Sequence, residues 1–123
     1  MPVPDFGVGV DIESIGRFKK TDGAGDSAFL NKIFTTAEID YCFSLPQPAQ
    51  HLAARYAAKE AVIKALATLK KTGLSYKDIE VINDKDGAPS ARIRKAGFDA
   101  LDIKLSLSHA GGQAIAFTVV SRK

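Results

Sequence analysis

Two carboxylates on one short stretch and four charges on one long one are the residue types here whose spacing could do chemistry. In Phe6-Gly-Val-Gly-Val-Asp-Ile-Glu13 the residues alternate, so a strand carries Val8, Val10 and Ile12 on one face and Gly7, Gly9, Asp11 and Glu13 on the other. Side chains two apart on a strand sit roughly 6 to 7 Å from each other. Like charges at that distance repel and are disfavoured without a cation between or beside them. Oxygen ligands favour Mg²⁺ over zinc, and no His or Cys cluster offers a softer site. Two solvated acids at a strand end would share this pattern.

Arg55, Lys59, Glu60 and Lys64 form the second set. Projected at about 100° per residue, His51 to Leu69 reads as one helix. Leu52, Tyr56, Val62, Ile63, Leu66 and Leu69 fall on one arc, with Ala53, Ala54, Ala57, Ala58, Ala61 and Ala65 largely opposite. A solvent face would carry charge, so this pattern predicts packing on both sides, the alanines admitting another backbone. Lys59 projects into the apolar arc, and Glu60 and Lys64 lie one turn apart on its border. An i,i+4 ion pair beside a snorkelling lysine fits, and so does a charged site at the rim of a packed helix. Charges there are costly unless partnered, which directs the search for chemistry to this helix.

Ser108-His109 stands beside the turn Ala110-Gly-Gly-Gln113, where a hydroxyl, an imidazole and turn amides could hold a phosphate; a plain hairpin with a polar tip is the other reading. A Ser-His-Asp hydrolase is disfavoured, because adjacent strand residues point to opposite sides and no nucleophile elbow appears. Gly7-Val-Gly9 lacks the third glycine of a dinucleotide fingerprint, and there is no Walker loop.

The elements that must position these groups follow in order. A short helix capped by Ser14 exposes Arg17, Lys19 and Lys20, and Gly23-Ala-Gly-Asp26 reads as a link. Ser27 to Ile33 is a second helix, and Thr35-Thr-Ala-Glu38 has capping-box spacing for a third, closed by Pro46 and Pro48. After the long helix, Ile79 to Ile82 and Pro89 to Ile93 form a hairpin, and two further strands run from Ile103 to His109 and from Ala114 to Val120. About five strands and four helices result. Helices grouped before antiparallel strands predict an α+β fold, an antiparallel sheet packed against the long central helix.

At 123 residues the chain fits one domain, 1–123, with no repeats or low-complexity tracts. Seventeen Lys plus Arg against fourteen Asp plus Glu give +3, a basic excess that suits an anionic ligand or acidic partner but is too small for nucleic acid. Cys42 is alone, no leader-like segment opens the chain, and no apolar run could cross a membrane. The expected compartment is cytoplasmic.

Taken together, Gly9-Val-Asp11, Phe34-Thr-Thr-Ala-Glu38, Arg55-Tyr-Ala-Ala-Lys-Glu-Ala61 with Lys64, Gly87-Ala-Pro89 and Ser106-Leu-Ser-His109 resemble the 4′-phosphopantetheinyl transferases of the short holo-acyl-carrier-protein synthase type. The resemblance covers nearly the whole chain and is weakest at Lys19 to Asp26 and Arg94 to Asp102. It implies transfer of the phosphopantetheine arm of coenzyme A to a serine of an apo acyl carrier protein or carrier domain. Asp11 and Glu60 would hold Mg²⁺, Glu60 would take the serine proton directly or through a bound water, and Lys64 would sit against the phosphates. Arg55, Ser108 and His109 would contact coenzyme A, and Lys59 would lie in the same site. Arg17 and Lys20 would meet the acidic carrier. Glu13, absent from many short members, is similar to an acid of the longer class and of the transferase domain of fungal-type fatty acid synthases, and is a third candidate ligand. The family implies a homotrimer with the coenzyme site at subunit boundaries, the alanine face or the last strands being the candidate contact surfaces. A non-catalytic coenzyme A or carrier-binding module and a small Mg²⁺ phosphohydrolase are the competing readings.

Overall fold

The computed structural model describes residues 4–19 and 27–123. In order the elements are β1 (Phe6–Ser14), α1 (Gly16–Lys19), α2 (Ser27–Ile33), α3 (Thr36–Phe43), α4 (Pro48–Thr68), a single 3₁₀ turn (Tyr76–Asp78), β2 (Ile79–Asn83), β3 (Pro89–Ile93), β4 (Leu101–Ala110) and β5 (Gln113–Arg122). Strands β1, β5 and β4 make one antiparallel sheet in that order, and β2 and β3 pair as a separate hairpin. The α+β architecture predicted from the alternation and helix grouping is the one found.

Helix α4 lies across the inner face of the three-stranded sheet, and the glycines of β1 are why it can. A Cβ on Gly7 would stand 2.2 Å from the Ala65 carbonyl oxygen, and one on Gly9 1.9 Å from that of Ala61, distances no side chain can occupy. The alanine stripe thus meets bare strand backbone, and Ala53, Ala57, Ala58, Ala61 and Ala65 are fully buried. As an intersubunit surface the alanine face is therefore ruled out, because it is spent inside the chain. The opposite arc of α4 packs Leu52 and Tyr56 against Phe18 and Phe34, and Leu66 and Leu69 against Ile79 and Val120.

The local signals acted mostly as expected. Thr35 and Glu38 cap α3 reciprocally. Pro48, expected to close α3, instead opens α4 at its first turn, where a missing N–H costs nothing. Gly111 and Gly112 adopt φ of 60° and 79°, the left-handed pair that a tight hairpin between β4 and β5 demands. No helix turn forms between Lys95 and Leu101.

The sheet's other face is bare. Phe6, Val8, Val10 and Ile12 of β1 and Ile115 and Phe117 of β5 are 39–57% exposed. Val10 pairs with Phe117, and Ile12 with Ile115, so these side chains form one continuous apolar patch.

Candidate active site

Strand β1 and helix α4, some fifty residues apart in sequence, bring Asp11, Glu60 and Lys64 together. Lys64 Nζ donates to Asp11 Oδ1 at 3.0 Å and to the Val10 carbonyl at 3.1 Å. Its ammonium is held above the ordinary lysine range, first by the hydrogen bond to Asp11 and then by the fields of Asp11, Glu60 and Glu13. The i,i+4 partner suggested by sequence, Glu60, is thus not the lysine's ion-pair partner; the strand carboxylate takes that place. Glu60 instead accepts a hydrogen bond from the Tyr76 hydroxyl on Oε1.

Asp11 carries a second observation. Its Oδ2 is buried without a hydrogen-bond partner. A buried carboxylate oxygen left bare is costly, and an acceptor-only oxygen is satisfied by a hard cation or a donor. Glu13 lies on the same strand face, with its carboxyl pushed up to about 7, first by burial and then by the neighbouring Asp11 carboxylate, while Arg17 opposes the shift. Arg17 Nη1 stands 3.2 Å from Glu13 Oε1. Among the described residues no three metal-ligating side chains converge. Mg²⁺ keeps most of its positions for water and phosphate, so two carboxylates can suffice to hold it.

Arg17 also stacks its guanidinium 5.1 Å from the Tyr56 ring centre. Lys20 lies outside the described residues.

Lys59 requires a correction. It is fully buried, and Nζ donates to Glu38 Oε1 at 2.7 Å, the Ile33 carbonyl at 2.8 Å and the Tyr76 carbonyl at 2.9 Å. An ammonium has three protons, and all three are used. The coenzyme contact expected of Lys59 has no donor left to make it.

The remaining candidates line a cleft of about 330 Å³ between the start of α4, the β2–β3 turn and the end of β4, with Arg55, Ser108, His109, His51, Gly87 and Tyr41 in its wall. Arg55 is nearly buried, its guanidinium 4.4 Å from the Tyr41 ring centre and hydrogen-bonded through Nη2 to Asn83 Oδ1. Its Nε has no partner. His51 escaped the sequence reading, although it lies one turn before Arg55. Burial first, then Arg55 and His109, pushes its imidazole below the ordinary value, so each added cation makes the next more costly until an anion arrives. Among the described residues no Asp or Glu lines this cleft, which suits it to phosphate. Asp11, Glu60 and Lys64 do not line it either.

A family model described as the 4′-phosphopantetheinyl transferase superfamily matches residues 7–118. A holo-[acyl-carrier-protein] synthase of Thermodesulfovibrio yellowstonii is 50% identical over 94% of this chain and 97% of its own length. One from Geobacter sp. strain M21 is 45% identical over 95% and 98%. The solved structure of Helicobacter pylori holo-[acyl-carrier-protein] synthase in complex with coenzyme A superposes with a TM-score of 0.78 at 32% identity, over 93% of this chain and 99% of that one. The chain belongs to the 4′-phosphopantetheinyl transferase superfamily.

Proposed function

We propose that this protein is a holo-[acyl-carrier-protein] synthase, a single transferase domain over residues 1–123, and that Asp11, Glu60 and Lys64 are its reaction centre. It transfers the 4′-phosphopantetheine arm of coenzyme A to a serine of an apo acyl carrier protein. The observation carrying the site assignment is the meeting of Asp11 and Lys64 at 3.0 Å beside Glu60, with Asp11 Oδ2 left bare.

In the transfer, the carrier serine oxygen bonds to the phosphorus of the phosphopantetheine group. The pyrophosphate P–O bond breaks, and its electron pair leaves with adenosine 3′,5′-bisphosphate. Glu60 accepts the serine proton. Lys64, half exposed on the helix edge, gives the departing phosphate a cation. Mg²⁺ held by Asp11 and Glu60 would supply charge neutralisation on the phosphoryl oxygens. Arg55, His109 and Ser108, with His51, would bind the coenzyme's phosphates.

Within one chain the carboxylates and the cationic cleft do not share a cavity. The bare apolar sheet face is a surface that a second copy would cover, in support of a proposed homotrimer with the active site at its boundaries. Arg17, half exposed beside Glu13, is a proposed contact for an acidic carrier segment. No helix among the described residues is long and apolar enough to cross a membrane, in keeping with a proposed cytoplasmic location.

The test is to incubate the protein with coenzyme A, Mg²⁺ and a panel of apo carriers and weigh the carriers. Each true substrate gains one phosphopantetheine arm. No gain on any carrier by folded, coenzyme-bound protein rejects the transferase reading, and free phosphopantetheine without a carrier would favour a phosphohydrolase. Light scattering distinguishes trimer from monomer.

A further inference from the structure

Tyr76 belongs to none of the sequence motifs, yet three contacts fix it against the reaction centre. It opens the 3₁₀ turn before β2. Its carbonyl accepts from the buried Lys59 Nζ at 2.9 Å. Its ring packs on Tyr56 with centres 5.4 Å apart. Its hydroxyl donates to Glu60 Oε1, with the Tyr56 hydroxyl 3.4 Å away.

A glutamate on a helix surface is free to turn about its last torsions, and that freedom must be lost before its carboxylate can grip a cation or take a proton in one geometry. A lysine or arginine neighbour would fix it at the cost of cancelling its charge. A phenol fixes it and leaves the charge in place. We propose that Tyr76 is a positioning residue for Glu60: its hydroxyl pins Oε1 and presents Oε2 in a single orientation to the metal and the incoming serine hydroxyl. The assignment builds on the transferase reading above. It also gives the buried Lys59 a place in the chemistry, since Lys59 anchors the backbone from which Tyr76 reaches Glu60.

Tyr76→Phe removes the hydroxyl alone and keeps both the ring packing and the backbone contact. Orienting partners of metal ligands are typically worth 10- to 100-fold. Accordingly kcat should fall about 10- to 100-fold while KM for coenzyme A stays within about twofold. Mn²⁺ affinity, read by electron paramagnetic resonance without coenzyme A or carrier, should weaken about tenfold. A variant with wild-type kcat and wild-type Mn²⁺ affinity, or one altered only in thermal stability, overturns the assignment. A wild-type protein that modifies no carrier would instead sink the transferase reading, and the Mn²⁺ comparison would still decide whether Tyr76 positions Glu60.

Discussion

Helix α4 carries two lysine–carboxylate pairs of nearly equal length five residues apart: Lys59 with Glu38 at 2.7 Å, and Lys64 with Asp11 at 3.0 Å. Their surroundings are opposite. The first pair is sealed, 0% and 1% exposed, while the Lys64 side chain is 53% exposed. In the sealed pair every charge is answered by protein: Glu38 also accepts from the Thr35 amide and, through Oε2, from the Val81 amide, each at 2.8 Å. In the open pair Asp11 keeps one oxygen bare. The same two chemical groups thus serve structure where all their valences are met, and in the proposed function serve chemistry where one is left over.

Breaking the sealed pair should give the largest loss of stability. Lys59→Met keeps the length of the side chain but strands the Glu38 carboxylate in the core. An unpaired buried charge costs about 3–5 kcal/mol, so denaturant unfolding should shift by that amount. An unchanged midpoint would mean that Glu38 reaches solvent or another cation.

The open cluster should respond in activity instead. Glu60→Gln leaves the shape and the Tyr76 contact but removes the negative charge. Loss of the proposed general base and metal ligand is expected to lower kcat/KM by about 10²- to 10³-fold, about 3–4 kcal/mol in the barrier, with the unfolding midpoint little changed. Carrier modification followed by mass spectrometry, set beside thermal unfolding of the same sample, checks both halves of the statement.

That division was only partly legible in the sequence. Period-two alternation in β1 and the large-against-small pattern of α4 reported the sheet, the helix and their close packing, because both depend on residues near in sequence. The meeting of Asp11 with residues of the Lys59 to Lys64 segment came from matching motifs to a family, and the coordinates supply the geometry. Lys59 was misplaced because its partners are Glu38, Ile33 and Tyr76, which no spacing along α4 announces. Glu38 showed only its local duty as the capping-box acid, and Tyr76 showed nothing. His51 was the avoidable omission, since a histidine one turn from Arg55 on the same helix is a readable signal.

Lys64→Ala sharpens the comparison from the other side. Exposed ion pairs contribute about 0–1 kcal/mol, so stability should move by less than about 0.5 kcal/mol. Loss of the cation proposed to meet the leaving phosphate should still lower kcat about 10- to 100-fold, about 1.4–2.8 kcal/mol. Lys64→Arg should recover part of that rate by restoring charge. A variant that is destabilised by several kcal/mol would mark Lys64 as another structural lysine.

Glu80 is the intermediate case and carries the smallest effect. Its carboxylate is 4% exposed and accepts from the Thr35 hydroxyl at 2.8 Å, but its cations, Arg92 at 2.7 Å and Arg94 at 3.6 Å, are 64% and 52% exposed. Burial raises its pKa, and the Thr35 hydrogen bond followed by Arg92 and Arg94 outweighs it, leaving the carboxyl below its ordinary 4.5. Between that lowered value and 4.5 the unfolded chain binds the proton that the folded chain refuses, so stability rises with pH across the window and falls on acidification. Glu80→Gln cannot titrate. It should be less stable than wild type at neutral pH by about 1 kcal/mol, the usual worth of a charged hydrogen bond screened by solvent on one side, and the gap should close as pH drops below about 4.5. Urea midpoints measured at several pH values between neutrality and the acid limit read this out directly. A constant gap would show that the charge of Glu80 adds nothing to stability across this window.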